Sequence, residues 1–208
     1  MPKPWRVLRS NVSIRDRWLT VRSDTCQMDC GRVIEPYFVL EYPSWVNMVV
    51  LTLDCQIVLV RQYRHGAGEI ITEIPCGVVD STDAMPADAA ARELAEETGY
   101  VGSPPRLMGS FYANPANQNN RVFSFFVAKA QPTGTQRLDP SEEIDIVLAD
   151  PMEFLRSVMS GDIELQGMHN SALLLSLPYI LRELCGDDFN KRKGLISDVF
   201  SSLRERTP

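Results

Sequence analysis

Hydrophobic and polar positions alternate early in the chain, lengthen into apolar runs, and fall into helical spacing only later. Trp18, Thr20 and Arg22 alternate with Leu19, Val21 and Ser23, a period of two that predicts a strand. After a turn at Cys30-Gly31-Arg32, the segment 33–42 (VIEPYFVLEY) is rich in β-branched and aromatic residues. Apolar runs at 45–53 and 56–63 read as two further strands joined by a hairpin turn at Asp54-Cys55, and EIITEIP follows as a short one. From Gly77 the period is lost in GVVDSTDAMP. Pro86 then opens a run of strong helix formers, with Ala90, Ala91 and Leu94 as its apolar stripe and Gly99 placed as a left-handed cap.

Strands resume at 106–112 and 121–130 around the polar loop ANPANQNN. The segment 131–143 reads as a mobile loop, IDIVLA as a strand, and Pro151 as the start of a helix to about Ser160. A second helix is expected from near Met168 to Leu184, kinked or broken at Pro178. In the tail, Leu195, Ile196, Val199, Phe200 and Leu203 share one helical face, expected to pack on its own subunit or a dimer partner. The pattern divides the chain into an N-terminal β region (1–43), a central α/β domain (44–186) and a helical tail (187–208).

Composition narrows the function. The 208 residues carry 21 Lys and Arg against 27 Asp and Glu, a net charge of −6, which disfavours a general nucleic-acid binder. Five Cys without a C-x-x-C pair argue for reduced thiols in a cytoplasmic protein rather than a disulfide framework or zinc ribbon. The N-terminus lacks a signal-peptide core, and no apolar stretch reaches the roughly 18 residues of a membrane span.

Chemistry concentrates in Arg92-Glu93-Leu94-Ala95-Glu96-Glu97-Thr98-Gly99-Tyr100. On a helix Glu93, Glu96 and Glu97 are neighbours, and three crowded carboxylates repel unless something positive sits among them. Arg92 is one such charge and a hard divalent cation the other. A solvated acidic face is the simpler reading of such a helix on composition alone.

The flanking residues shift that balance. Gly77 and the full run from Arg92 to Tyr100 resemble the signature of the Nudix hydrolases: Gly, five residues, Glu, seven residues, then Arg-Glu-hydrophobic-x-Glu-Glu-x-Gly-hydrophobic. One departure stands out. Counting from Gly77 puts Asp83 at the place of the first Glu, counting back from Arg92 puts Ala84 there, and the loop is one residue longer. Over roughly residues 5–184 the chain looks most like the ADP-ribose pyrophosphatase branch. Val60-Arg61-Gln62-Tyr63-Arg64, Glu73-Ile74-Pro75-Cys76-Gly77-Val78-Val79-Asp80 (Cys76 replacing the usual Ala) and Glu142-Glu143-Ile144-Asp145 carry that likeness.

The resemblance implies an α/β/α sandwich with a mixed sheet, preceded by a small antiparallel domain that dimerises and completes the partner's site. It implies Mg²⁺, with Mn²⁺ as a substitute, on Glu93, Glu96, Glu97 and the Cys76 carbonyl. Arg92 would hold Glu93. Arg64, with Arg61, Tyr63 and Glu73 around it, would meet the substrate. Glu142 or Glu143 would be the general base, with Glu96 as a third candidate to orient the water. The implied reaction is hydrolysis of ADP-ribose to AMP and ribose 5-phosphate by a cytoplasmic homodimer. Two alternatives stay open: another substrate (GDP-mannose, NADH or a dinucleoside polyphosphate), or a weakly active nucleotide-binding module.

Overall fold

A computed structural model describes residues 1–201. The chain forms two compact units, Met1–Trp45 with Phe111–Val122, and Val46–Ser110 with the chain from Phe123 on.

The first unit is built on a three-stranded antiparallel sheet, β1 (Arg6–Arg15), β2 (Thr20–Gln27) and β3 (Val33–Glu41), in the order β1-β2-β3. The predicted turn is present, with Gly31 at a φ of 82° that suits glycine. The alternation beginning at Trp18 becomes strand only at Thr20, because the Trp18 and Leu19 amides donate to the Asp16 carboxylate in a turn. Strand β1 left no alternation to read, since all ten of its residues are exposed. Asp24 is buried on the sheet and fixed by Arg22, which also reaches Glu41. The polar loop joins this unit through backbone and turn chemistry. Leu40 N–H donates to Asn117 O at 2.8 Å, the Asn120 amide to Pro43 O at 3.2 Å, and the Tyr37 hydroxyl to Ala116 O.

The second unit carries an eight-stranded sheet. Its spine runs β11 (Ile144–Ala149), β5 (Ile57–Arg64), β4 (Trp45–Thr52), β10 (Arg121–Pro132), β8 (Tyr100–Val101). Strands β6 (Glu69–Glu73), β7 (Cys76–Val78) and β9 (Arg106–Tyr112) pair with β5, β4 and β10. Alternation along the central strands feeds two cores. Val46, Met48, Val50, Val58, Phe125 and Val127 meet Ala89, Ala90 and Leu94 of helix α1 (Pro86–Thr98) on one face. Val49, Leu51, Leu59 and Phe126 meet α2 (Pro151–Ser160), α3 (Gly167–Cys185) and α4 (Phe189–Ser201) on the other. The helices thus cover both faces, the expected α/β/α layering.

Helix α1 starts as expected at Pro86, with the Asp88 carboxylate accepting the Met85 amide at 3.0 Å. It ends on Gly99 at φ 70°. Its buried stripe uses Ala89 where Ala91 was expected, and Ala91 is exposed. Leu94 is its deepest large side chain, so Leu94→Ala would cost about 2–5 kcal/mol. Helix α3 runs unbroken through Pro178. In α4, Val199 is buried and Leu195 and Ile196 pack on the α2/α3 core of the same chain. Phe200 is largely exposed, off the predicted apolar face, and Leu203 lies outside the described residues. Among the described residues no helix is long and apolar enough to cross a membrane, and the five cysteines are unpaired.

Candidate active site

Strand β7 and helix α1 form the centre of the site. Glu93 and Glu97, one helical turn apart, point at the β7 backbone. Glu97 Oε2 accepts the Cys76 N–H at 3.1 Å, and Glu93 Oε1 accepts the Val78 N–H at 3.1 Å. Gly77 lies between these anchors. A Cβ there would fall 2.0 Å from the Glu93 carboxyl carbon, so any side chain at 77 would push Glu93 out of this position. Strand β7, which the loss of period at Gly77 concealed, is what lets α1 place two acids against one stretch of backbone.

Burial dominates the electrostatics. It raises the Glu93 carboxyl above its ordinary range, against the pull of Arg92. It raises Glu97 further, with Glu93 and Glu142 adding like charge and only the Cys76 amide and Arg64 opposing. The Cys76 thiol is likewise pushed far up by burial and then by the Glu97 charge, so it stays neutral.

Arg92 bonds Glu93 but spends its other contacts away from Glu97. Its Nε and Nη2 donate to the two oxygens of Asp83 at 3.1 and 2.9 Å, Nη1 bridges Glu93 (3.0 Å) and Glu96 (2.9 Å), and Nη2 also bonds Val78 O. Asp83's hydrogen bonds lead in raising the Arg92 pKa, and the guanidinium in turn depresses that of Asp83. Between Asp83 and Ala84, then, it is Asp83 that engages the helix, and the longer loop brings it there, with Asp80 N–H bound to Asp83 Oδ2 at 2.8 Å. Glu96 faces Arg92 rather than the β7 backbone and is about one third exposed.

Arg64 ends β5 on the face of the sheet that carries Val58 and Val60. Its Nε donates to Glu73 at 2.6 Å and its Nη2 reaches the Cys76 sulfur at 3.4 Å. Arg61 and Tyr63 alternate to the opposite face and do not join this group. Arg61 pairs with Asp145 across β11 at 3.0 Å, and the Tyr63 hydroxyl lies 3.4 Å from His65.

The segment after β10 was expected to be mobile, and it is instead fastened to the end of α1. Thr133 N–H bonds Gly99 O, Arg137 N–H bonds Glu96 O, and the Gln136 amide bridges Glu97 O (2.7 Å) and Ile144 O (3.0 Å). Gly134 O packs so closely on Gly99 that a Cβ there would lie 2.5 Å from it. This fastening carries Glu142, whose charge adds to the rise of Glu97. Glu142 also closes its own turn by accepting the Asp139 N–H at 3.0 Å. The sequence gives no signal for Gln136 and suggests only a structural role for His169, which is a buried ring on α3 beside Glu73. No local pattern marks either one, since their partners lie far away in sequence.

The donor set suits a hard divalent cation. Glu93 and Glu97 offer oxygen donors held side by side, both with raised carboxyl pKa values, and the nearest guanidinium, Arg92, bonds Glu93 while spending its other contacts on Asp83, Glu96 and Val78 O.

The chain resembles known proteins. Residues 43–164 match the NUDIX domain and residues 5–40 the nucleoside diphosphate sugar hydrolase N-terminal domain. The ADP-ribose pyrophosphatase of Bacillus subtilis (strain 168) is 27% identical over 126 residues, 60% of this chain and 68% of that one. The protein of the same name from Mycobacterium tuberculosis is 28% identical over 145 residues, 69% of each. A crystal structure of an ADP compounds hydrolase shares the fold, with a TM-score of 0.71 at 20% identity over 86% of this chain and 96% of that one. With the family's domain matched over more than half its length, around the helix that carries the carboxylates, this chain belongs to the NUDIX family.

Proposed function

We propose that this chain hydrolyses the diphosphate bond of a nucleoside diphosphate sugar, ADP-ribose first among them, to give AMP and ribose 5-phosphate. The observation that carries the reading is the pair Glu93 and Glu97, held side by side on the β7 backbone, Glu97 buried and Glu93 half-buried, with Nη1 of Arg92 shared between Glu93 and Glu96. The N-terminal domain match and the names of the two pyrophosphatase relatives support the substrate class.

Glu93, Glu97 and the Cys76 carbonyl would hold Mg²⁺ or Mn²⁺, with Glu96 at the margin. When bound, such a cation neutralises diphosphate charge and makes water more acidic. Arg92 fixes Glu93. Arg64, anchored through Nε, offers its remaining edge to a phosphate oxygen. Glu142 accepts the proton of the attacking water, a role its field on Glu97 favours over Glu143. The water oxygen bonds to one phosphorus, the bridging P–O bond breaks, and the departing phosphate keeps the bridging oxygen.

The region 1–43 would pair with its counterpart in a cytoplasmic homodimer. The exposed edge strand β1, with Val7, Leu8, Val12 and Ile14 open, supports that role. Light scattering on the eluting protein tests it. The domain 44–186 would hold the chemistry and 187–208 would brace it.

The function is tested by chromatography and mass spectrometry of products from ADP-ribose, GDP-mannose, NADH and diadenosine polyphosphates, with Mg²⁺ and then with chelator. Metal-dependent AMP and ribose 5-phosphate, strongest from ADP-ribose, is the expected result. Preference for another substrate overturns the specificity, and binding without turnover overturns the reaction.

A further inference from the structure

Glu73, Cys76 and His169 are all buried, and their ligand atoms lie within 4.8 Å of one another. Carboxylate, thiol and imidazole together are a donor set that holds zinc in other proteins. Here the Arg64 guanidinium touches two of the three, through Glu73 at 2.6 Å and Cys76 at 3.4 Å. The cradle's cation is therefore a side chain, and a metal would have to displace it.

Glu73 needs more than Arg64. It is 2% exposed, and a buried carboxylate calls for donors on both oxygens. Arg64 serves Oε1. Among the described residues, Nδ1 of His169 is the nitrogen that faces Oε2, 3.3 Å away but outside hydrogen-bond geometry, and the ring Nε2 is likewise unbonded. A neutral imidazole donates from one nitrogen and accepts at the other, so an acid opposite Nδ1 selects the Nδ1–H form. The ring is kept neutral by burial and by the nearby Arg64 charge, which push its pKa down to about 3. The fold sets its place. His169 sits in the first turn of α3, its N–H bonded to Gln166 O at 2.9 Å, and the buried Asn47 amide grips the preceding carbonyl of Met168 at 3.1 Å.

We infer that His169 is a positioning residue: as an Nδ1–H imidazole it holds Glu73 against Arg64, and so aims the guanidinium at the substrate's diphosphate. The inference rests on the reading of Arg64 as the phosphate contact. Without the ring, Glu73 Oε2 loses the polar group that faces it at 3.3 Å, the carboxylate can turn, and Arg64 loses its aim.

The side-chain amide of Asn can stand where the imidazole Nδ1–H stands, whereas that of Gln reaches the place of Nε2. His169→Gln should therefore raise KM for ADP-ribose on the order of tenfold with kcat changed only a few-fold, and His169→Asn should restore most of the loss. Arg64→Ala is measured beside them. An unchanged KM in Arg64→Ala overturns the phosphate reading itself. A raised KM there with His169→Gln unaffected, or with His169→Asn as impaired as His169→Gln, overturns the positioning role alone. A direct measurement needs no variant at position 169. The chain has two histidines, so ¹⁵N NMR of histidine-labelled protein, assigned with His65→Gln, reads the tautomer. A neutral ring protonated on Nδ1 is expected, and protonation on Nε2 overturns the inference.

Discussion

Two arginines organise the site, and they are held in opposite ways. Arg92 spends all three nitrogens on the protein, bonding Asp83, Glu93, Glu96 and Val78 O, and each partner lies within fourteen residues of it. Arg64 is anchored by Nε and Nη2 alone, through Glu73 and Cys76. Among the described residues its Nη1 has no protein partner, and the group behind its anchor, His169, comes from more than a hundred residues away. A guanidinium saturated by its own chain is a brace. One left with an open edge is a contact for something that arrives from outside.

The largest effect should come from the acids set against the β7 backbone. Glu97→Gln is expected to lower turnover by at least two orders of magnitude, with the fold retained by circular dichroism. Normal turnover in that variant would remove the metal assignment. Next comes the contrast itself. Arg92→Ala leaves Asp83, Glu93 and Glu96 without their shared donor and should lower stability by about 1–3 kcal/mol in urea titration, whereas Arg64→Ala should act mainly on KM. Equal stability losses in the two variants would erase the distinction between brace and contact.

A smaller effect concerns pH. The Glu97 carboxyl is raised in the folded state, so its contribution to stability is fully present below the unfolded value near 4.3 and is lost as pH rises through the folded value. In chelator, the melting temperature of Glu97→Gln should therefore gain on that of the parent between pH 5 and 8. Identical pH profiles would mean that burial does not penalise this carboxylate. The smallest expected change is Gln136→Ala, which unfastens the Glu142 segment from α1 and should reduce kcat several-fold with little effect on melting.

How much of this was legible depended on sequence distance. Helix α1, its Pro86 start and its Gly99 cap follow from local propensity, as does the spacing that groups its acids. The two core faces followed from alternation on β4, β5 and β10. Counting alone left Asp83 and Ala84 tied, because an extra loop residue has no register until the chain closes on Arg92. Arg61 and Tyr63 were drawn in by their nearness to Arg64, although strand alternation sends them to the other face. Gln136 and His169 act through partners that only tertiary packing supplies. Strand β1 stayed hidden because a strand exposed on both faces imprints no period.

Gly77 ties two positions into one heritable unit. With a Cβ there falling 2.0 Å from the carboxyl carbon of Glu93, a single-residue step to alanine is closed unless the acid at 93 retracts. Shortening Glu93 to Asp would clear the space while withdrawing a carboxylate from the Val78 amide. Side chains at 77 are thus expected to be recovered mainly together with a shortened or withdrawn residue at 93, whereas position 93 varied alone meets no such steric bar.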